Sequence, residues 1–497
     1  MKRVGKFASV LLAVVFAATM LVGFAGCAKK KGIVIYVDGG GANGNFNTTA
    51  SMDKSPANPY PYNTLETLAK EYMALHPNVK IIINKTSLNS DRETVVSLLT
   101  QKQAPHLLYQ ISPSWVEDAM KGWVVDLTDS LSEPNPYIEE GKAGAAKWSD
   151  LYIEKELLAT RAANGRYYNV CLEKIPIGII YNKEIFAAAG LDGIPTTYKE
   201  LLEYQEKIYT KTGKNPYHPI YDWYDIFLEV SIFSKLFDTY DVIEKDGFIS
   251  AEEIVRAWVK GEWGINSRPT TEAEKMYKEY FRLMKDKTKY YPEAYESYDA
   301  LEEFLKGRVG MIEATGGYMA KVYNDPNFGP DKVGVFGFPT LTQESSVYGG
   351  NGVYRGTAGL CTGYCVTNRA VKDGQATVDA CVDFLKFLTA PQNNNRLVND
   401  LGLGMPISPE AEVNPLFVPL VEMYNEDISD PNRFDWNTFC TWSHFGKEYY
   451  DTFLNTVWAY QANELNITNA LDEMAAATKT AFEAYMQLNG WTKDRWN

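Results

Sequence analysis

Residues 33–37 (IVIYV) form a short apolar run rich in β-branched side chains, the pattern of a buried strand. Downstream, Leu65, Leu68, Ala69, Tyr72 and Met73 recur at helical spacing, with Asn63 and Glu66 as a start signal and Pro77 as a stop. Residues 79–83 (VKIII) predict a second strand and Val95, Val96, Leu98 and Leu99 a second helix. Residues 107–111 (LLYQI) predict a third strand, followed by a helix over Ser114–Lys121 that Gly122 ends. The alternation resumes at 177–181 (IGIIY). A helix over 183–189 is closed by Gly190, and another starts at Thr197, with Glu200 three residues on, and runs to near Gly213. Residues 333–338 and 362–367 read as strands. Residues 376–389 read as an amphipathic helix through Val378, Cys381, Val382, Leu385 and Leu388. Strands separated by helices predict an α/β chain with mostly parallel sheets, because a parallel crossover needs a helix-length connection. The stretch 214–310 and the C-terminal region, closing with 468–486, read as mainly helical. The loop 43–62 is long for a compact domain, a length at which loops often carry function.

At 497 residues and 45% hydrophobic content, the chain is expected to build two or three domains with full cores. Lys and Arg number 49 against 63 Asp and Glu, a balance of −14 that excludes the basic face nucleic-acid binding requires. His76, His106, His218 and His444 form no pair at metal-ligand spacing, so no metal and no organic cofactor are expected. Gly39–Gly44 matches GxGxxG after a strand. It runs into Asn, Thr, Ser and Pro rather than a helix, so it reads as a cleft loop and not a dinucleotide site. Residues 246–253 (DGFISAEE) echo half an EF-hand loop, but Val242 stands at the first ligand position. Ser250 and Glu253 read instead as a capping box. Asp299, Glu302 and Glu303 read as a solvated helix face, and no G-x-S-x-G supports a serine nucleophile.

Lys2, Arg3 and Lys6 precede an apolar run over 8–22, then small residues and Cys27, as in a secretory signal peptide. Ala25-Gly26-Cys27 resembles the lipobox of bacterial lipoproteins, with Phe24 where Leu is usual. The expectation is a signal segment over 1–27, lipidation at Cys27, and a mature chain tethered to the outer face of the cell membrane. Loss of the three basic residues would take the formal charge to −17. Cys171, Cys361, Cys365, Cys381 and Cys440 remain, an odd number without a dense framework, and are expected as buried small apolar residues.

Several segments in order resemble the extracellular solute-binding proteins of bacterial ABC importers, in the sugar-binding branch that includes the maltose-binding protein. They are LETLAKEYMALHPNVKIII (65–83), LLTQKQAPHLLYQ (98–110), MKGWVVDLTDSL (120–131), GRYYNV (165–170), IPIGIIYNKEIFAAAGLDGIPTTYKELLE (175–203), FLKGRVGMIEATGGYMA (304–320), KVGVFGFPT (332–340) and VDFLKFLTAPQNNNRLVNDLGLGMPIS (382–408), after the opening strand. His106 stands where the family usually has Asp. The loop 43–62 and the segment 425–460 are longer than the family leads one to expect. The resemblance implies a two-lobed periplasmic-binding-protein-like α/β fold, each lobe a mixed, mostly parallel sheet flanked by helices, with a ligand cleft between. It places 32–171 and 315–358 in the N-terminal lobe, 172–314 and 359–497 in the C-terminal lobe, and crossings near 170–178, 311–316 and 358–364. It further implies a monomer that captures a carbohydrate and delivers it to a transmembrane permease. The reading set against it is a secreted carbohydrate-active enzyme, or a binding protein for a non-sugar ligand such as a peptide; the segment order favours a binding module over an enzyme.

Site residues are sought at strand ends, because loops at the carboxyl ends of strands face the crevice of open α/β sheets. Asp38 follows the first strand, Tyr109 and Gln110 end the third, and Trp115 opens the next helix. Glu173 and Lys174 sit at the first expected crossing. By resemblance, Tyr318 occupies the place of an aromatic that stacks on the sugar ring. Trp223 and Trp442 are further platforms expected from the second lobe. The aromatic content of 13%, with 33 Tyr and 11 Trp, suits ligands with apolar C–H faces.

Overall fold

The structure is a computed structural model. It describes residues 32–497 apart from 41–45, 47, 50, 54, 56–60, 86–87, 89–90, 112–113, 163, 220–225, 266–270, 292–297, 351, 354–358, 361, 403, 409–410, 429–432 and 435–444. Trp223, Trp442, Cys27, Cys361 and Cys440 lie outside the described residues.

Two sheets organise the chain. The first comprises β1 (Ile33–Asp38), β2 (Val79–Asn84), β3 (Leu107–Ile111) and β4 (Val170–Cys171), with a later strand inserted beside β3. β5 (Glu173–Lys174) is a short crossing strand. The second sheet comprises β6 (Ile177–Asn182), β7 (Asn215–Pro219), β8 (Val309–Thr315) and β9 (Val333–Phe336). β10 (Gly352–Val353) precedes β11 (Thr362–Val366), the inserted strand; β12 (Met405–Pro406) and β13 (Arg433–Phe434) follow. The first sheet has the order β2-β1-β3-β11-β4 and the second β7-β8-β6-β9. β1, β2 and β3 run parallel, as do β7 and β8. β11 is antiparallel to β3 and β4, and β6 is antiparallel to β8 and β9. β11 is buried at every position, which matches its uninterrupted apolar run and its place between two strands. At Gly363 a Cβ would collide with the Val170 carbonyl oxygen, so only glycine lets β4 approach β11 here.

The capping signals fold as their chemistry dictates. Thr197 caps the helix Tyr198–Thr212 with a reciprocal bond from Glu200, and Gly213 closes it in the left-handed region. Ser250 and Glu253 form the second box. Glu253 also accepts from the Val242 and Ile243 N–H groups, while Asp246 pairs with Arg161. Asn63 makes no side-chain cap to Thr64–Leu75, and the Glu66 carboxylate, which would complete the box, is engaged by Thr48 and Lys70 instead. Cys171, Cys365 and Cys381 are buried, as expected, and burial pushes the Cys365 and Cys381 thiols up.

The division of the chain between the lobes differs from the expected one. β9, expected in the N-terminal lobe with 315–358, pairs with β6 in the second sheet. β11, expected in the C-terminal lobe, pairs with β3 in the first. The helix Gln375–Thr389 follows β11, burying Phe384, Leu385 and Leu388 against Ile35 and Val37 of β1. The chain therefore stays in the second lobe through β8, the helix Gly316–Tyr323 and β9, and returns to the first between Leu341 and Leu360. It leaves again after Ile407, and Leu416, Phe417 and Leu420 pack on the second sheet. The apolar runs of β9 and β11 are equivalent in pattern, and only edge complementarity assigns each to its sheet.

Candidate ligand-binding site

β4 runs parallel to β3, so its end at Cys171 lies at the carboxyl edge of the first sheet. Six residues on, Ile177 opens β6 opposite Thr315, the last residue of β8, at the carboxyl edge of the second. The Gly316 N–H donates to the Pro176 carbonyl at 2.9 Å and fixes that junction. The carboxyl edges of both sheets thus meet across residues 172–176, which makes the space beside this crossing the crevice.

On the first-sheet side, Asp38 ends β1 fully buried, and neither carboxylate oxygen has a hydrogen-bond partner of normal geometry among the described residues. Burial pushes its pKa up to about 7, against a smaller opposing effect of the Gly40, Tyr109 and Gly39 N–H groups. Tyr109 donates to Glu173 Oε1 at 2.6 Å. Tyr364 lies opposite Tyr109 in the β3–β11 register, packs edge-on against it, and donates to the Asp38 carbonyl at 2.6 Å. Phe46 completes the aromatic packing, with its ring centroid 5.5 Å from Tyr109 and 6.4 Å from Tyr364. Burial holds the Tyr62 and Tyr364 phenols well above their ordinary range, so both stay neutral donors. Gly404 supplies the space for the Glu173 carboxylate, which a Cβ there would crowd.

Lys174 faces a different partner set. Its ammonium is 3.4 Å from Glu156 Oε1 and 5.2 Å from the centre of the Tyr424 ring. β5 pairs with β12 through Glu173↔Pro406 and Lys174↔Met405, so two crossings are laced together beneath the crevice. On the second-sheet side, Tyr318 is half-buried on the helix that follows β8, with the Lys321 ammonium 4.8 Å from its ring centre. Deeper in that lobe, Glu313 of β8 accepts from Tyr217 at 2.6 Å and Lys287 at 3.1 Å, all three buried.

The structure brings Asp38, Tyr109 and Glu173 together and turns two expected residues away. Gln110 follows Tyr109 in the strand, so it faces the opposite side of the sheet. There it donates to Asp118 at 2.7 Å, and Asp118 is paired with Arg92. Trp115 is 1% exposed among Val116, Val124, Ala162, Tyr168 and Cys365, so its ring presents no free face. Sequence reading missed Phe46, Tyr62, Tyr364, Glu156 and Tyr424. Tyr364 was detectable only through the register opposite Tyr109, and Glu156 and Tyr424 meet across 268 residues of sequence. Among the described residues no group of three or more His, Cys, Asp or Glu is placed to hold a metal ion, and no helix is long and apolar enough to cross a membrane.

The family model for bacterial extracellular solute-binding protein matches residues 67–425. No curated protein matches the chain. Among solved structures, the cyclic α-maltosyl-1,6-maltose binding protein from Arthrobacter globiformis is similar at 18% identity and a TM-score of 0.60, over 91% of this chain and 100% of its own. Maltose-bound T. maritima MalE3 is similar at 17% identity and 0.59, over 90% and 99%. The raffinose complex of the binding protein RafE is similar at 16% identity and 0.57, over 90% and 100%. At these identities the likeness establishes the two-lobed fold. With the family match covering most of the chain, from the helix before β2 through the crossings and the second sheet, the chain belongs to the bacterial extracellular solute-binding proteins.

Proposed function

We propose that this protein is the lipid-anchored extracellular receptor of an ABC importer, a monomer that captures a carbohydrate and passes it to a membrane permease without chemically altering it. The observation that carries the reading is the meeting of the two carboxyl edges at a crossing where Asp38 and Glu173 sit among Tyr62, Tyr109, Tyr364 and Phe46. These rings are as buried as Trp115, so with the two carboxylates they form the floor beneath the crevice, and the face that meets a sugar ring is assigned to the half-buried Tyr318. The similar structures named for maltosides, maltose and raffinose support a sugar over a peptide. Asp38, Tyr109, Glu173, Lys174 and Tyr318 border or brace the crevice in this reading, which keeps Trp223 and Trp442, outside the described residues, as further candidates for stacking. Short crossings allow the lobes to close about a hinge when ligand binds.

Calorimetric titration of the mature chain with maltose, raffinose, xylo-oligosaccharides and chito-oligosaccharides tests this. Binding of at least one glycan, a smaller radius of gyration at saturation and no new reducing ends are expected. Binding of peptides alone, or release of reducing ends, overturns the carbohydrate-receptor reading. For the anchor, Cys27→Ala is expected in the medium as folded protein; retention with membranes overturns the lipidation.

A further inference from the structure

The second lobe carries a hollow that the crevice does not account for. The helices Tyr198–Thr212 and Glu272–Lys287 leave a cavity of about 400 Å³ between them, within the span of small-molecule sites. Lys289 and Tyr290 line both this cavity and a neighbouring one of about 410 Å³ beside Asn215, so the two form one groove. Asn215 opens β7, which places that end of the groove at the amino edge of the second sheet, away from the carboxyl edge at the crevice.

Gln205 lines the groove at 1% exposure, and neither its amide nitrogen nor its oxygen has a hydrogen-bond partner among the described residues. Buried amides are normally paired, so this unpaired one in the cavity wall gains partners from an occupant once its side chain turns toward the cavity, since neither atom is open to a water molecule as it stands. One helical turn on, Tyr209 stacks on Tyr290 with centroids 4.7 Å apart, and Tyr209 is 48% exposed. The Lys289 ammonium lies 4.9 Å from the Tyr290 ring centre, so the open apolar face of the pair at the mouth is that of Tyr209, backed by Tyr290. The charged groups are of both signs and largely cancel: Lys199 pairs with Glu344 at 2.9 Å, and Arg282 pairs with Asp286 at 2.8 Å. A groove with an unpaired amide, an aromatic face and no dominant charge selects a neutral, polyhydroxylated ligand over an ionic one.

We propose that this groove is a second carbohydrate site, in which adjacent hydroxyls pair with the Gln205 amide and a sugar ring lies against Tyr209, backed by Tyr290. The site is independent of what the crevice binds. Calorimetry of the mature protein with maltoheptaose, xylohexaose and chitohexaose tests it, comparing wild type with Gln205→Leu and Tyr290→Ala. At least one glycan is expected to show a binding event that both variants weaken tenfold or more, while any crevice event is retained. Where the crevice binds none of the three, a single event lost in both variants still supports the groove. Binding curves identical in wild type and variants, or no event for any glycan beyond one insensitive to both, overturn it. If Gln205→Leu does not fold, Tyr209→Ala replaces it, because Tyr209 is exposed and its truncation leaves the core intact.

Discussion

The Tyr424 hydroxyl donates to Glu156 Oε1 at 2.5 Å, joining a helix that touches both cores to one that packs on the second sheet. Glu156 lies on the helix Glu154–Leu158, whose Leu157 packs on the first core and whose Leu158 packs on the core of the second lobe. Tyr424 lies on Val418–Ile428, whose Leu420 packs on the second sheet. Lys174, on the crossing strand, adds its ammonium to both. The triad ties the crossing to each lobe at the base of the crevice. Tyr424→Phe keeps the ring under Lys174 and deletes one bond to a charged acceptor, a loss of about 1.5–3 kcal/mol. Urea unfolding should show a lower midpoint by a corresponding amount, and ligand-free scattering a larger radius of gyration. Unchanged values in both would show that the contact does not hold the lobes.

Asp38 makes stability depend on pH. Its folded pKa is about 7 and its ordinary value 3.8, so the folded state keeps a proton that the unfolded state has lost between those values. The contribution is fully present below about pH 4 and is lost as pH rises through 7. Asp38→Asn, which cannot ionise, should flatten this part of the profile. At pH 8 it should gain on the wild type by a few kcal/mol, since each tenfold difference in proton affinity between the two states is worth roughly 1.4 kcal/mol. Melting curves from pH 4 to 8 check this; parallel profiles for the two proteins contradict it.

The buried Lys287–Glu313 pair should show the asymmetry of internal charges. Lys287→Met leaves Glu313 with the Tyr217 hydroxyl but without its cation, and should cost about 3–5 kcal/mol. Adding Glu313→Gln removes the stranded charge and should recover a large part. Chemical denaturation of the single and double variants measures both effects. A double variant less stable than the single one would show that the cation is not what stabilises Glu313.

Tyr318 is half-buried, with one side of its ring against the Lys321 ammonium. As a sugar platform, its truncation in Tyr318→Ala should weaken binding at least tenfold, about 1.4 kcal/mol, with the free protein melting nearly unchanged. Unchanged affinity with a melting point several degrees lower would make Tyr318 a packing residue of the cluster around Met319 and Val322.

The sequence legibly encoded what depends on neighbours within one turn or one strand. The Thr197–Glu200 and Ser250–Glu253 boxes, the left-handed Gly213 and the apolar runs of β1, β3, β6 and β11 form from local chemistry, and all are present. The placement of Asp38, Tyr109 and Glu173 beside the crossing was legible because strand ends and crossings are marked by where apolar runs stop. Gln110 was misread by the same rule, since the period of two sends alternate residues of a strand to opposite faces. Trp115 was misread because an aromatic at a helix start has the same sequence signature whether it faces a crevice or a core.

What the sequence by itself determined is an α/β chain with the segment order of the solute-binding proteins and the positions where its strands end. The tertiary structure alone decided which sheet receives β9 and β11, because an apolar strand satisfies its backbone equally well on any edge and only long-range packing chooses. It also decided the pairings Tyr364–Asp38 and Tyr424–Glu156, each joining residues more than 260 positions apart, since no local propensity encodes a contact whose geometry exists only after the lobes have formed.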